Sequence, residues 1–504
     1  MASPWLKQTP KKRDYVAERG LDEFLYLVNP DDLRVHRFEA AGRAVWEMID
    51  GRRSGEELAR EYCQRQNTAY VPQLMKPIGG FLDTLRAQDL IYTDDEPQLR
   101  RPRVCKQSGE GQNLSEPLEA GAGGDMNVVN EMWRRAGSHR TILKCDLELT
   151  YACNHACLHC YNPTERRKTL NTGEFLDLID QLADQGCLFL GFTGGEVFVR
   201  PDAMVLARRA RERKFSIRFL TNGALIDERL ADEIADIHPE TVEISLLGTR
   251  AETHDHFAQA PGSYEKIMRA CRLLAEREVN VYARYVFTRH NVYESPEMPK
   301  LADDLGIKYV YQKPHLLPTV DRDMSPTDHR LTNDQIKWLY QKGIWNPTGH
   351  SGCYAGVSRA SISPWGQIHA CEFLPQTVGS IRDDGQLRDI WLASSERKIW
   401  DDARVHKPTG CSDCSNQEVC IRCPAIAFLE EGSLTASSSQ SCRVSGVLRE
   451  AEAEMQAPDW MPLDPAVRGD TWTNNLAPPA SSPGPQLVTL RVPDRAKKDS
   501  TSHN

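Results

Sequence analysis

The 504-residue chain has no apolar run long enough to cross a bilayer: its longest, such as 187–192, fall far short of the ~20 residues a membrane helix needs. The opening MASPWLKQTPKKRD carries no apolar core of the kind that marks a secretory signal. A basic surface is missing too. Against 62 Lys and Arg stand 71 Asp and Glu, a net charge of -9, and no Lys/Arg block forms a nucleic-acid footprint. These absences exclude membrane and nucleic-acid partners and point to the cytoplasm. Cysteine, by contrast, is plentiful. Fifteen are present, and in a compartment that keeps thiols reduced they suit metals or catalysis better than disulfides. Ten fall into two groups, 153–160 and 353–442, while Cys63, Cys105, Cys145, Cys187 and Cys271 are scattered and read as small buried hydrophobes.

At this length two to four domains are expected. Residues 12–100 read as a small winged-helix-like domain. Two strand-like runs, FLYLV and LRVHRF, are joined by Asn29, Pro30, Asp31 and Asp32, which is hairpin punctuation. Helical spacing follows at 40–49, at 54–66 behind a Ser54/Glu57 capping box, and at 72–88, before a closing strand at 90–93. Residues 101–140, polar and Gly-rich, read as a flexible linker with one short helix near 128–135. Over 141–340, strands at 145–150, 187–192, 215–220, 241–246, 280–287 and 307–311 alternate with helices at 172–185, 202–212, 227–236, 263–276 and 296–304. This alternation predicts an α/β fold whose parallel sheet curls into all or part of a barrel, with chemistry at the C-terminal strand ends. A doubly wound open sheet would use the same ends. Residues 341–450 lose the alternation and become Cys-rich, and 451–504 read as a disordered tail.

Three motifs carry chemistry. The run LELTYACNHACLHCYN places Cys153, Cys157 and Cys160 in a C-x3-C-x2-C spacing on the loop after the first barrel strand. Thiolates hold iron-sulfur cubanes with one ligand per iron, so three leave one iron open; a zinc site completed by His155 or His159 is the alternative. GFTGGEVF follows the second strand. There Gly194 and Gly195 let backbone approach a ligand closely, and Glu196 offers a carboxylate to an amino group. Finally, Cys353, Cys371, Cys411, Cys414, Cys420, Cys423 and Cys442 lie within one hundred residues, a metal signal whose alternative is a pair of zinc ribbons.

The first two motifs, over roughly 143–312, resemble the radical S-adenosylmethionine (SAM) superfamily. That resemblance implies a partial (β/α)6 barrel of the TIM type and one 4Fe-4S cluster on Cys153, Cys157 and Cys160 whose open iron chelates S-adenosyl-L-methionine. It also implies that Gly194, Gly195 and Glu196 hold the methionyl amino group, and that cleavage yields a 5′-deoxyadenosyl radical. Thr221, Asn222 and Ser245, and further on Asn291, match positions where the family contacts the cofactor; strand-end capping is their ordinary use. The Cys-rich region resembles the SPASM domain. This implies two auxiliary 4Fe-4S clusters, one on Cys353, Cys371 and Cys423, the other on Cys411, Cys414, Cys420 and Cys442. Only Ile421 and Arg422 separate Cys420 from Cys423, one residue fewer than is common there. Seven thiolates for eight irons leave one iron to a distant residue or a substrate thiolate. Glu372 stands where sulfatase-maturing relatives carry an acidic base.

The front run FEAAGRAVWEMIDGRRSGEELA resembles the PqqD-like RiPP recognition element, in which a precursor's leader adds as an edge strand. Together these resemblances imply an enzyme that takes a ribosomally made precursor peptide by its leader, draws electrons from a donor such as flavodoxin or ferredoxin, and installs a thioether or a C–C/C–O cross-link. One alternative is a maturase acting on a protein, of the sulfatase-maturase or quinohemoprotein-maturase type. Another, of a different class, is an iron-sulfur or zinc winged-helix redox regulator.

Overall fold

In the computed structural model, residues 4–94 and 126–456 are described, apart from 32, 166, 313–315, 319–324, 346–352, 384, 406–407, 409–410 and 421. The end of the expected front domain, 95–100, the linker residues 101–125 and the expected tail beyond 456 lie outside them.

The chain begins with β1 (Lys11–Lys12), then an antiparallel meander of β2 (Ala17–Leu21), β3 (Phe24–Asn29) and β4 (Arg34–Phe38). Helices α1 (Ala40–Met48), α2 (Gly55–Arg65) and α3 (Met75–Ala87) follow, and β5 (Ile91–Tyr92) returns to pair with β1. The capping box at α2 forms as expected: the Glu57 amide donates to Ser54 Oγ at 3.3 Å and the Ser54 amide to Glu57 Oε2 at 2.7 Å. The helix expected at 72–88 opens as a 3-10 turn, Pro72–Leu74, before α3. Strand β2, AERGL, lacks an alternating pattern and was not expected; it is held by its pairing with β3. Every residue of β3 is buried because both its faces are covered. Leu25 and Leu27 point into the core of α1–α3, while Phe24, Tyr26 and Val28 meet α4 (Met126–Ser138). The short helix expected near 128–135 is thus longer and is packed against the front sheet.

The second unit alternates β6 (Lys144–Thr150), α5 (Thr172–Asp184), β7 (Phe189–Gly194), α6 (Ala203–Glu212), β8 (Ser216–Thr221), α7 (Glu228–Ile237) and β9 (Thr241–Leu246). It continues through α8 (Ala251–Ala258), α9 (Ser263–Glu276), β10 (Val281–Tyr285), α10 (Met298–Leu305) and β11 (Lys308–Tyr311). All six strands are parallel and neighbour one another in chain order. A doubly wound sheet would reverse that order part-way, so the partial barrel is the architecture. After α11 (Asn333–Gln341), β12 (Arg359–Ile362) joins parallel to β6, and β13 (Gln367–His369) and β14 (Thr377–Ser380) extend the same sheet antiparallel. The Cys-rich region therefore grows out of the barrel's sheet. It ends in α12 (Leu387–Ala393), α13 (Ser395–Val405), α14 (Pro424–Glu431) and α15 (Ser439–Met455), the last reaching into the stretch read as tail. No helix among the described residues is long and apolar enough to cross a membrane.

Tyr26 is 1% exposed and its hydroxyl finds no hydrogen-bond partner among the described residues. A buried unsatisfied hydroxyl costs about 1–3 kcal/mol, so Tyr26→Phe is expected to hold or raise stability by about 1 kcal/mol, read as the denaturant midpoint.

Candidate active site

The C-terminal ends of the barrel strands face a cavity of about 910 Å³. All ten clustered cysteines line it, those after β6 from one side and those of the C-terminal region from the other. Of the scattered five, Cys63, Cys145, Cys187 and Cys271 are buried, as expected, and Cys105 lies outside the described residues. Among the described residues no three His, Cys, Asp or Glu side chains converge on a single metal position, so it is the shared cavity that brings the thiols together.

The first Cys loop is held by its backbone. Ala156 and Leu158 donate to the last carbonyls of α8, Ala258 O at 3.2 Å and Phe257 O at 3.0 Å. Helix α8 escaped the sequence reading because AETHDHFA is short and carries no clear apolar stripe. Ser263 Oγ lies 3.1 Å from His155 Nε2, so that imidazole is engaged in bracing the loop. The His159 ring stacks on Phe257 with centres 5.6 Å apart.

The other support is the end of β7. The Gly195 amide donates to Thr150 O at 2.6 Å and the Glu196 amide to Ala152 O at 3.0 Å. A Cβ on Gly194, whose φ is +127°, would overlap Thr150 O, and one on Gly195 would overlap Ala152 O. Asn162, beyond the last cysteine, closes the loop by donating to Gly194 O at 2.8 Å. The glycines thus permit close approach to the Cys loop itself, and their backbone also lines the cavity.

Two expected site residues lie behind the cavity wall. Glu196 is fully buried and does not line the cavity. Its carboxylate accepts from Thr221 Oγ1 and the Asn222 amide, both at 2.7 Å, and from the Phe198 amide at 3.1 Å. Burial still pushes its pKa up against those donors. It is a strut between the ends of β7 and β8. Asn291 is also fully buried: its side chain accepts from the Thr288 amide at 2.8 Å and donates to Leu247 O at 2.9 Å and Val286 O at 2.8 Å, locking β9 to β10. Thr221, Asn222 and Ser245 do line the cavity. Asn222 Nδ2 reaches Asn154 Oδ1 at 2.8 Å and lies 3.7 Å from Cys153 Sγ.

The structure adds a feature not anticipated from sequence, a ladder of alternating charge across the barrel's inner wall. Arg284 pairs with Glu243, Glu243 with Arg218 at 3.4 Å, Arg218 with Asp146 at 2.8 Å, Asp146 with Arg359 at 3.1 Å, and Arg359 with Glu372 at 2.8 Å. Burial opposes ionisation of Asp146, but Arg218, Arg359 and Lys144 outweigh it and hold the carboxyl well below the usual range. For Glu243 burial is likewise outweighed, by Arg284 and Arg218. Arg218 reaches Asp146 across strand β7 because Gly191 stands between them; a Cβ there would overlap Asp146 Oδ1. Glu372 therefore faces the cavity as the terminal, Arg-held carboxylate of this ladder.

The comparisons with known proteins agree with this geometry. Residues 147–299 match the model of the radical SAM superfamily, and 25–91 that of coenzyme PQQ synthesis protein D (PqqD). The mycofactocin maturase MftC of Mycobacterium tuberculosis (strain CDC 1551 / Oshkosh) is 30% identical over 303 residues, 54% of this chain and 75% of that protein. The chain belongs to the radical SAM superfamily. The AdoMet-dependent heme synthase of Methanosarcina barkeri is 26% identical over 327 residues, 56% of this chain and 92% of that protein. Streptococcus suis SuiB bound to precursor peptide SuiA shares the fold, with a TM-score of 0.54 at 14% identity over 86% of this chain and 99% of that one. Radical SAM enzymes use S-adenosylmethionine and a 4Fe-4S cluster, and the donor set here fits: three thiols on one loop, one ligand short of the four that a cubane takes, beside a side-chain-free backbone.

Gly191→Ala is expected to break the buried Arg218–Asp146 pair and destabilise the fold by about 3–5 kcal/mol, measured by denaturant unfolding. Burial raises Glu148, which accepts from Ser361 Oγ at 2.7 Å, to about 7 from 4.5. Its folded value lies above the unfolded one, so its stabilising contribution is complete below pH 4.5 and is lost as pH rises through about 7. Glu148→Gln should therefore gain stability relative to wild type between pH 4.5 and pH 8, a difference that unfolding midpoints at the two pH values report.

Proposed function

We propose that this radical SAM enzyme captures a ribosomally made precursor peptide by its leader and modifies the peptide's core by hydrogen abstraction, installing a cross-link. The observation that carries this reading is a strand edge on the front sheet that no described strand pairs, in an enzyme whose ten clustered cysteines share one cavity. The β2 edge is taken, since the Glu18 amide donates to Lys214 O at 3.1 Å and Arg19 Nε to Cys187 O at 2.6 Å. β4 is the other edge of that sheet, where an added strand gains main-chain hydrogen bonds. The PqqD match spans β3, β4 and the helices behind them, and the similar SuiB structure holds a precursor peptide.

Within the cavity, Cys153, Cys157 and Cys160 would hold the cluster with the open iron, and Gly194, Gly195, Thr221, Asn222 and Ser245 would surround the S-adenosylmethionine. When bound, that pair supplies a radical strong enough to break unactivated C–H bonds. Cys353, Cys371 and Cys423, with Cys411, Cys414, Cys420 and Cys442, would hold two auxiliary clusters suited to accepting the electron that a net oxidation releases. Glu372, held by Arg359, would take the proton that leaves as the new bond forms. Reducing equivalents would come from flavodoxin or ferredoxin in the cytoplasm.

Anaerobic iron-sulfur reconstitution with S-adenosylmethionine and a strong reductant tests the reading. Wild type should form 5′-deoxyadenosine, and Cys157→Ala should form none while keeping the iron-sulfur absorbance of the C-terminal cysteines. A fully iron-loaded wild type that makes no 5′-deoxyadenosine would overturn it. Glu372→Gln should keep 5′-deoxyadenosine formation yet slow cross-linked product about 10²–10⁴-fold, the range of general base catalysis.

A further inference from the structure

Helix α4 touches all three parts of the molecule. Its Met132 and Trp133 share one apolar cluster with Tyr26 and Val35 of the front sheet and with Leu188 and Phe189 at the foot of the barrel. Glu131 takes Arg37 of β4 as an ion pair. On the side facing the Cys-rich region, the Trp133 ring stacks on Tyr354 with centres 4.6 Å apart and 27° between planes, and Phe189 lies nearly parallel to it at 6.5 Å. Trp133 is 2% exposed and its indole N–H has no hydrogen-bond partner among the described residues, so packing and stacking are what the ring contributes.

Tyr354 is a junction. It directly follows Cys353, and both line the cavity. Its carbonyl accepts the amides of Val357, Ser358 and Arg359, each at 3.1 Å. The Arg359 guanidinium in turn holds Asp146 and Glu372. A displacement of the Tyr354 ring therefore moves a thiol and a guanidinium on the cavity wall together. Gly137, one turn beyond Trp133, packs α4 against the same loop, since a Cβ there would stand 3.3 Å from Val357 Cγ1.

We propose that Trp133 is a positioning residue: through its stack on Tyr354 it sets Cys353 and Arg359, and so couples the leader-binding front sheet to the auxiliary-cluster wall of the cavity. A peptide strand added at β4 presses on the sheet that α4 covers, and a cluster on Cys353 fixes the loop that α4 meets on its other side. Coupling between two sites is reciprocal, so stiffening either end stiffens the other. The leader and cluster roles rest on the function proposed above, whereas the mechanical link through Trp133 does not.

The test uses the full-length, anaerobically reconstituted protein, with Trp133→Leu and Trp133→Phe beside wild type. Hydrogen exchange over 353–359 should quicken about five- to tenfold in Trp133→Leu, the loss expected for one aromatic stack, and return toward wild type in Trp133→Phe. The electron paramagnetic resonance signal of the auxiliary clusters should change in Trp133→Leu while the signal of the Cys153–Cys160 cluster does not. Reciprocally, Cys353→Ser should lose iron and quicken exchange over 24–38, whereas Cys411→Ser should lose iron without doing so. Unchanged exchange over 353–359 in Trp133→Leu, or equal damage in Trp133→Phe, overturns the inference. Should Trp133→Leu fail to fold, Tyr354→Leu approaches the stack from its other side, and unchanged exchange over 126–138 in that variant overturns it equally. Full iron retention in Cys353→Ser overturns the cluster assignment and leaves the Trp133 arms to decide the link.

Discussion

The mouth of the barrel depends on how closely the backbone of Gly194 and Gly195 lies against that of Thr150 to Ala152. Two main-chain hydrogen bonds run between the segments, and either glycine's Cβ would overlap a carbonyl oxygen there. That contact sets where the Cys loop leaves β6, Asn162 fastens where it returns, and α8 supports the middle. A site that must hold a cofactor to a fraction of an ångström gains from being framed by main chain, because main-chain hydrogen bonds carry no rotamer freedom. Glu196 belongs to this frame: its carboxylate transmits the position of β7 to Thr221 and Asn222, which do face the cavity.

Below that frame the barrel interior is charged rather than apolar. Three guanidinium and three carboxyl side chains alternate without a break, so each group lies beside its opposite, which is the condition under which buried ions are tolerated. The alternation ends at Glu372, so this cavity-facing carboxylate is supported by charges anchored on β6, β8, β9, β10 and β12. Gly191 makes the arrangement possible by leaving β7 without a side chain where Arg218 crosses it.

The parts of this architecture that depend on local chain chemistry were legible. Strand and helix periods placed β6–β11 to within about two residues, the Ser54/Glu57 pair announced α2, and the two Cys groups with Gly194 and Gly195 pointed to the cavity they line. What was not legible depends on partners distant in the chain. Glu196 next to two glycines reads as a ligand-facing carboxylate, and nothing in its neighbours shows that it is buried and bonded to Thr221 and Asn222. The ladder joins residues 72 and 213 positions apart. It did leave a trace: the third residues of β6, β7, β8 and β9 are Asp146, Gly191, Arg218 and Glu243, a charged layer with a gap, visible once the strands are aligned by depth.

The edge of β4 has a consequence for handling the protein. An edge strand with unpaired main chain is a template for any other strand, including the same strand of a second molecule. Its sequence RVHRF carries Arg34 exposed at one end and Arg37 committed to Glu131. Charged side chains are how natural edges are blunted, and the two arginines of RVHRF serve that end less well as salt screens them. Purified at high ionic strength without its peptide, the enzyme should be more prone to pair with itself through β4 than at low salt, so storage conditions become part of its biochemistry.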